Sequence, residues 1–351
     1  MCPKALIAMS GGVDSSAAAV CMVQAGYTCV GVTMRLHDEA CGSAQDAEDA
    51  RCVAQQLGFP FEVLDCRSGF AEKVIDPFVA SYERGHTPNP CIECNRHMKF
   101  GGLHRYAAER GCDVVVTGHY ARIEYDEAVG RYRLKKAKNI AKDQTYFLYF
   151  LTQEQLAHTA FPLGEYEDKE AVRQLAAEHG FVNARKRDSQ DICFIPDGKY
   201  ADFIRQRTGR DYPTGDFVDE DGRVLGQHKG VIGYTVGQRR GLGLSLPAPL
   251  YVRRKNMADN TVLLTPESEL YTTRLVAENF NWVSGFAPDV PVSVTAKTRY
   301  AAGESPAVAS VLPDGRVEVV FAAPQRAVTE GQAVVLYDGD EVVGGGTICE
   351  T

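Results

Sequence analysis

The hydrophobic residues in the first part of the chain alternate between two spacings. Short apolar runs, typical of buried strands, occupy residues 5–9, 28–34, 61–65 and 114–117. Apolar residues recurring every three to four positions predict helices over residues 16–24, 46–57, 70–84 and 99–110. Gly26, Gly58 and Gly111 directly follow three of these helices, at the position where a left-handed residue commonly ends a helix. This alternation predicts an α/β fold with a doubly wound parallel sheet.

The pattern changes beyond about residue 200. A last charged helical stretch covers residues 168–179, and residues 215–243 are rich in glycine and turn signals, as in a small β-containing module. Short strand-like runs then occupy residues 290–297, 307–312, 316–321, 333–337 and 341–348. Strands at this spacing predict a sandwich or a small barrel. We therefore divide the chain into domains at residues 1–200, 201–273 and 274–351.

Composition narrows the class of protein. Hydrophobic residues make up 44% of the 351 residues, charged residues 24%, and the formal net charge is −8, which excludes a disordered chain and a generally basic polyanion-coating protein. No apolar run approaches the ~20 residues that span a bilayer. Eleven scattered cysteines, an odd number, fit a reducing compartment. We expect a cytoplasmic protein with no membrane partner.

The segment Ser-Gly-Gly-Val-Asp-Ser at residues 10–15 joins the first predicted strand to the first predicted helix. Ligands bind at this turn in open α/β sheets, and Gly11 and Gly12 let the backbone approach a phosphate closely. The loop lacks the Gly-Lys-Ser/Thr ending of a Walker A motif and the spacing of a dinucleotide fingerprint. Asp14 beside a phosphate requires a cation, which indicates a Mg²⁺-bound polyphosphate.

Two cysteine segments form the second candidate site. The Pro-rich segment 87–95 carries Cys91 and Cys94. Its two prolines predict an extended loop that cannot join a helix, with Cys94 and Asn95 at the start of the next helix. Cys193 lies in the polar segment 188–196. A helix N-terminus lowers the pKa of a thiol, and Arg185, Lys186 and Arg187 upstream of Cys193 would favour a thiolate there too. The Cys-x-x-Cys spacing also fits half a zinc site or inert thiols.

Residues 10–15 resemble the signature of the PP-loop ATP pyrophosphatases, which cleave ATP between the α- and β-phosphates. Seven segments together resemble the tRNA-specific 2-thiouridylases, in the expected order from residue 9 to residue 300. They are residues 9–16, residues 88–90 with Cys94 and Asn95, and residues 117–121, 142–146, 189–195, 233–241 and 297–300. The resemblance implies a HUP-like PP-loop domain, a small central domain and a C-terminal β-barrel.

The resemblance also implies the reaction. The C2 oxygen of the tRNA wobble uridine would be adenylated by ATP with Mg²⁺, and sulfur carried as a persulfide on Cys193 would replace it. Cys94 would act as nucleophile or resolving thiol and form a disulfide with Cys193 during the cycle. The implied partners are tRNA, a sulfur donor protein and a thiol reductant.

The implied site residues fall into two groups. The ATP site comprises Ala8, Met9, Ser10, Gly11, Gly12, Val13, Asp14, Ser15, Met34 and Gly118. The tRNA contacts comprise Asn89, Pro90, Cys91, His119, Lys142, Asp143, Gln144, Arg299, Tyr300 and Gln332. The family often carries an acidic residue where this chain has Cys91, so the role of that carboxylate is in doubt here.

Charge and aromatic residues add further tRNA-binding candidates, since phosphate contacts and stacking on a splayed base are typical of RNA recognition. The basic candidates are Lys135, Lys136, Lys138, Lys142, residues 185–187, Arg239, Arg240, residues 253–255 and Arg299, and the aromatic ones are Tyr120, Tyr146, Tyr234 and Tyr300.

Three alternatives stay open. Another PP-loop adenylating ligase would need neither Cys94 nor Cys193. A cysteine-based redox or metal-sensing protein would carry a vestigial ATP loop. Finally, Cys91, Cys94 and Cys193 could hold three corners of a [4Fe–4S] cluster, although two of these cysteines already suffice for the persulfide route, which we favour.

Overall fold

The computed structural model describes residues 2–37, 43–186, 192–195 and 197–351. Cys41, Arg187, residues 188–191 of the second cysteine segment and Pro196 lie outside the described residues. The strands are β1 Lys4–Ala8, β2 Thr28–Arg35, β3 Phe61–Asp65, β4 Val114–Val116, β5 Ala121–Asp126, β6 Arg131–Lys136, β7 Thr159–Ala160, β8 Gly215–Val218, β9 Val224–His228, β10 Tyr251–Asn256, β11 Thr261–Thr265, β12 Tyr271–Trp282, β13 Val292–Lys297, β14 Ser305–Val311, β15 Val317–Arg326, β16 Ala333–Asp338 and β17 Glu341–Glu350.

Each predicted helix has a counterpart in the structure, in some cases interrupted, and the structure has further short helices that the sequence pattern did not predict. They are α1 Val13–Gln24, α2 Ala44–Leu57, α3 Arg67–Phe70, α4 Asp76–Glu83, α5 Pro90–Glu93, α6 Leu103–Glu109, α7 Gln153–Ala157, α8 Lys169–Glu178 and α9 Tyr200–Thr208. Two π-helical stretches, Ala71–Ile75 and Cys94–Gly102, join α3 to α4 and α5 to α6. Such wide turns are frequent at functional sites, and the second one begins at a candidate catalytic cysteine.

The predicted parallel sheet is confirmed, with strand order β3-β2-β1-β4-β7 and every pairing parallel. Alternate residues of β1 face opposite sides, as the pleat requires. Ile7 packs into a core with α1, α2 and α8, whereas Leu6 packs into a second core with α6. Helices therefore cover both faces, which explains why β1 reads as a continuous apolar run.

The central piece is a four-stranded sheet in the order β10-β11-β8-β9. Its buried residues do not form a core of their own. Phe217 and Val252 join the same hydrophobic cluster as Phe70 and Phe78 of the first domain. The central sheet is thus packed directly against the part of the α/β domain that carries the cysteines.

The C-terminal strands form the predicted barrel, because β12 pairs with β15 on one side and with β17 on the other. The order β12-β15-β14-β13-β16-β17 closes six antiparallel strands around an apolar interior. Sequence periodicity missed the hairpin β5–β6, which continues this sheet through the pairing of Lys135 with Glu341. No helix among the described residues is long and apolar enough to cross a membrane.

Gly164, in the loop that follows β7, lies in close contact with β5, so a substitution at this position tests the packing between them. A Cβ at Gly164 would lie 1.8 Å from the carbonyl oxygen of Ala121, the first residue of β5. We expect Gly164→Ala to destabilise the fold by roughly 1–3 kcal/mol, because backbone must move. The matched variant Gly303→Ala, where a Cβ meets no atom within 4 Å, should stay within about 0.5 kcal/mol of the parent. Thermal unfolding measures both, and equal midpoints would contradict this packing.

Candidate active site

The predicted phosphate loop lies between β1 and α1. Gly11 has a φ of +73°, and a Cβ there would lie 2.3 Å from the carbonyl oxygen of Asp46, so the position requires glycine. Gly12 caps α1 in an extended conformation without a side-chain hydrogen bond. The Ser15 hydroxyl accepts from the Ser10 N–H at 3.1 Å and fixes the curve of the loop. The first-turn N–H groups and the positive end of the helix dipole are thus arranged for an anion.

Asp14 accepts hydrogen bonds from two groups far away in sequence. The Lys169 ammonium lies 2.5 and 2.6 Å from its two carboxylate oxygens, and the Tyr120 hydroxyl donates to it at 2.8 Å. The cation that Asp14 was predicted to need is therefore present as a lysine. The inference of a metal from Asp14 alone was incomplete, because it did not consider a cation from the same chain.

Sequence reasoning missed Lys169. It is 9% exposed and is the first residue of α8, where the helix dipole disfavours a positive charge. A lysine at the positive end of a helix is unfavourable unless its charge is paired, so its position in the sequence indicates an ion pair with a distant carboxylate.

The turn after β4 approaches the phosphate loop closely. A Cβ at Gly118 would lie 2.8 Å from backbone atoms of Asp14 and Ser15, so the two loops meet through glycine. The ring of His119 is buried between Phe100 and Phe161, and its Nδ1 lies 2.7 Å from the Thr117 hydroxyl. Burial lowers the pKa of His119 well below its ordinary value. His119 is thus held as a neutral imidazole, and its contact with tRNA stays a prediction.

The segment 142–144 is anchored to this turn. Asp143 is 9% exposed and accepts from the Ala137 N–H at 3.1 Å and the Thr145 hydroxyl at 2.6 Å. Burial raises the pKa of Asp143. Gln144 bonds twice to Tyr120, with its N–H donating to the Tyr120 carbonyl at 2.9 Å and its Oε1 accepting from the Tyr120 N–H at 3.0 Å. Asp143 and Gln144 therefore have structural partners of their own, and their tRNA contacts stay predictions.

Three of the four tyrosines predicted to stack on RNA bases are part of the interior. Tyr120, Tyr146 and Tyr234 are 2%, 0% and 7% exposed. Tyr300 alone of the four lies at the surface, 39% exposed, with its ring 4.5 Å from that of Phe147. The prediction was wrong for the three buried residues, because polar sequence neighbours do not reveal which way an aromatic ring points.

The Pro-rich loop ends in a helix that starts earlier than predicted. Asn89 is its N-cap and accepts from the Cys91 N–H at 3.1 Å, and the helix begins at Pro90 rather than at Cys94. Cys91 therefore lies in the first turn. Cys94 lies one turn further along, on the same face of the helix. The dipole argument made for Cys94 consequently applies better to Cys91.

Cys193 is presented by a short turn with buried flanks. The Ile195 N–H donates to the Ile192 carbonyl at 2.8 Å, and Phe194 packs between Phe70 and Phe78 at ring distances of 5.6 and 5.5 Å. Cys193 packs against the same hydrophobic cluster as three further partly buried residues of the first domain. These are Met34, Cys66 and Cys94. Cys94 and Cys193, which are distant in sequence, thus meet one core, and both are thiols.

The candidate metal sites find little support. Within the described part of the chain, no three His, Cys, Asp or Glu side chains are grouped so that they could hold a metal ion. Cys91, Cys94 and Cys193 do not form a ligand set for an iron–sulfur cluster. Asp14 is the only carboxylate of the six-residue phosphate loop and is bound by Lys169, so the loop has no further carboxylate for Mg²⁺.

Lys186 has a different role from the one predicted. Its ammonium lies 2.7 Å from Asp46 and 2.8 Å from Asp49 of α2, and it donates to the Gly11 carbonyl at 3.3 Å. Asn183 donates to the same carbonyl at 3.0 Å. Lys186 therefore fastens the phosphate loop to α2, and its charge is compensated there rather than at Cys193.

The basic runs also divide into two kinds. Lys135 pairs with Glu124 and Asp340, Lys136 pairs with Glu304, and Lys138 pairs with Glu165. Each lysine of this run is therefore engaged in an ion pair. Lys255 is 7% exposed. Several predicted arginines do lie at the surface, namely Arg185, Arg239, Arg240, Arg254 and Arg299. Phosphate contacts are therefore to be sought among these arginines and at the half-buried Lys142, whose tRNA contact stays a prediction.

The barrel supports the Pro-rich loop. Gln332 donates to the Thr87 carbonyl at 2.7 Å, and the Thr87 N–H donates to the Glu330 carbonyl at 3.0 Å. Pro90 is buried and Asn89 half-buried. Gln332, named from the C-terminal part of the sequence, thus lies beside the segment that carries Cys91 and Cys94.

The remaining ATP-site candidates line the neighbouring strands. Ala8 and Met34, at the carboxyl ends of β1 and β2, are half-buried, whereas Met9 is 2% exposed. The Met9 N–H donates to the Val32 carbonyl at 2.8 Å. Because β1 and β2 are parallel neighbours, their carboxyl ends and the phosphate loop share one edge of the sheet.

Comparison with known proteins covers the whole length. Family models match in three segments: a tRNA methyl transferase HUP domain at residues 3–197, a tRNA methyl transferase PRC-barrel domain at 201–266 and an aminomethyltransferase beta-barrel domain at 272–348. The tRNA-specific 2-thiouridylase MnmA of Clostridioides difficile is 48% identical over 353 residues, which cover 98% of each chain. That of Acetivibrio thermocellus is also 48% identical, over 98% of this chain and 99% of its own.

The chain belongs to the tRNA-specific 2-thiouridylase family. The resemblance inferred from seven short segments is thereby confirmed. A solved 4-thiouridine synthetase bound to RNA and ATP aligns over 59% of this chain and 50% of its own, at 17% identity and a TM-score of 0.40. Membership in the 2-thiouridylase family rests on the full-length relatives and not on that alignment.

Lys169 generates a prediction about the thiouridylase phosphate loop. Lys169→Met keeps most of the side-chain volume but leaves Asp14 without its cation, so we expect a loss of about 1–3 kcal/mol of stability. The matched variant Lys138→Met removes an exposed pair with Glu165 and should cost under about 0.5 kcal/mol. Thermal unfolding with and without ATP checks this. Equal effects of the two variants would show that the Asp14 pair does not stabilise the loop.

Proposed function

We propose that this protein is an ATP-dependent sulfurtransferase that replaces the C2 oxygen of the tRNA wobble uridine by sulfur. One juxtaposition carries the proposal. The phosphate loop follows β1, while Cys94 and Cys193 pack against the same core as Met34, which lies at the end of the adjacent β2. A single substrate atom at this edge could meet both a phosphate and a thiol.

The phosphate loop fits the activation step. The C2 oxygen of uridine would attack the α-phosphate of ATP, forming an adenylate and releasing pyrophosphate. The first-turn N–H groups of α1 and the exposed hydroxyl of Ser10 suit the phosphate oxygens. The buried Ser15 hydroxyl donates to the Gly12 carbonyl at 3.0 Å and holds the loop in shape. Mg²⁺ would enter as the metal complex of ATP, because the loop carries a single carboxylate, Asp14, which Lys169 already engages.

The two thiols fit the sulfur-transfer step. The terminal sulfur of a Cys193 persulfide would attack C2 and displace AMP, and the Cys94 thiolate would then attack the Cys193 sulfur. This releases the 2-thiouridine, forms a Cys94–Cys193 disulfide and places the two electrons on the transferred sulfur. Alternatively, Cys94 would attack first and release hydrosulfide, which displaces AMP. Either order ends in the same disulfide, which an external thiol reductant resets, while a sulfur donor protein reloads Cys193.

The exposed arginines of the accessory domains suit the tRNA. Arg239 and Arg240 in the central piece and Arg299 beside Tyr300 in the barrel could contact phosphates, and Tyr300 could stack on a base. The target base must leave the anticodon stack to reach the cysteines. The scattered thiols fit a reducing cytoplasm, where tRNA and such a reductant are both present.

Pyrophosphate release tests the activation step. The protein should form AMP and pyrophosphate only when tRNA is added, and Asp14→Asn should slow this by about 10²-fold, because it removes the charge that holds Lys169. The matched variant Asp202→Asn changes an exposed carboxylate of α9 and should retain full activity. Release that needs no tRNA, or is unchanged in Asp14→Asn, would refute the assignment.

Serine variants of three cysteines test the sulfur-transfer step. Cys94→Ser and Cys193→Ser should lower thiolation at least ~10³-fold yet retain tRNA-dependent pyrophosphate release. Cys66→Ser, from the same core cluster, should be fully active.

The variant Cys91→Ser distinguishes the persulfide route, which uses only Cys94 and Cys193, from a reaction that depends on an iron–sulfur cluster. If Cys91 is a bystander, protein purified without oxygen should contain no iron and the variant should thiolate normally. Stoichiometric iron in the parent, lost together with thiolation in Cys91→Ser, would instead establish a cluster enzyme.

A further inference from the structure

Tyr120 connects two parts of the site that are separate in sequence. Its hydroxyl donates to Asp14 at 2.8 Å, and its backbone N–H and carbonyl both bond to Gln144, at 3.0 and 2.9 Å. It is 2% exposed, so its ring cannot reach a bound RNA. The residue lies between the phosphate loop and the segment 142–144, with hydrogen bonds to each.

The surroundings leave Tyr120 little room to move independently. Gly118 packs directly on the backbone of Asp14 and Ser15, and the Lys169 ammonium lies 5.5 Å from the centre of the Tyr120 ring. On the other side, Asp143 is fixed by the bonds from Ala137 and Thr145 described above. A displacement of segment 142–144 must therefore move Tyr120, and with it the hydroxyl that orients Asp14.

We propose that Tyr120 is a positioning residue that couples tRNA contact at residues 142–144 to the orientation of Asp14 and Lys169 in the phosphate loop. This inference rests on the proposed function and on the tRNA contact predicted for residues 142–144. The Gln144–Tyr120 and Tyr120–Asp14 bonds are present without tRNA. A tRNA bound at residues 142–144 would hold this connection, and with it the Asp14 carboxylate, in the orientation needed for ATP cleavage.

Tyr120→Phe tests the hydroxyl while keeping the buried ring. We expect kcat for tRNA-dependent pyrophosphate release to fall about 10- to 100-fold, the rate equivalent of one hydrogen bond to a charged group. The KM for ATP, the Kd for tRNA and the unfolding midpoint should stay at the parent values. The control is Tyr166→Phe, whose hydroxyl lies 3.4 Å from Cys21 in α1 and whose ring packs on the same core. It should retain the parent kcat.

A second variant tests the connection to the tRNA-facing segment. Gln144→Ala, assayed at saturating tRNA, should also lower kcat. The kcat of the double variant Tyr120→Phe/Gln144→Ala should be no more than about 3-fold below that of the less active single variant. The reason is that the effects of residues acting through one connection are not additive. Multiplied effects would mean that the two residues act independently, which overturns the coupling.

The outcomes separate this inference from the proposed function. If the parent protein releases no pyrophosphate with tRNA, the proposed function itself fails. If the parent is active and Tyr120→Phe matches its kcat, the positioning role is refuted. A lower unfolding midpoint or a higher KM for ATP with unchanged kcat would also refute it, because the hydroxyl would then serve folding or nucleotide affinity.

Discussion

The charge on Asp14 organises the nucleotide end of the molecule. A carboxylate in the first turn of α1 is favoured by the helix dipole, but beside a phosphate it would repel the substrate. Lys169 of α8, 155 residues away in sequence, compensates the negative charge of Asp14. Tyr120, in the turn after β4, donates a further hydrogen bond from a neutral hydroxyl. Three segments therefore converge on one carboxylate. Because the partners are shared, the loop, α8 and the Gly118 turn form one unit.

The cysteines depend on a different interaction, the hydrophobic cluster that crosses from the α/β domain into the central sheet. Phe194 anchors the turn of Cys193 in it, and Phe217 and Val252 of the central piece complete it. The barrel acts on the same region through Gln332 and Thr87. The two accessory pieces thus support the cysteine segments directly, in addition to any role in RNA binding. This explains why the central sheet lacks a core of its own.

The local patterns predicted the parallel sheet, the phosphate loop and the barrel, because each is encoded by residues close together in sequence. Lys169 was missed since an ion pair across 155 residues leaves no trace in local periodicity. The hairpin β5–β6 was missed for a related reason: its strands, such as Arg131–Lys136, carry charges whose partners lie in the barrel. The cysteine helix starts earlier than predicted because proline, which breaks a helix in its interior, is well tolerated in the first turn, where Pro90 lies.

The same long-range pairing changes how an acidic protein can bind RNA. Lysines at 135, 136 and 138 suggested a basic surface, yet each pairs with a carboxylate from another segment. These ion pairs connect the hairpin and the residues after it to other parts of the chain. Because each lysine charge is compensated by a carboxylate, the three lysines add little positive potential at the surface. Exposed arginines such as Arg240 and Arg299 remain as candidates for RNA contact. With a net charge of −8, non-specific attraction is weak, so selection of tRNA must depend on the geometry of a few contacts rather than on a basic field.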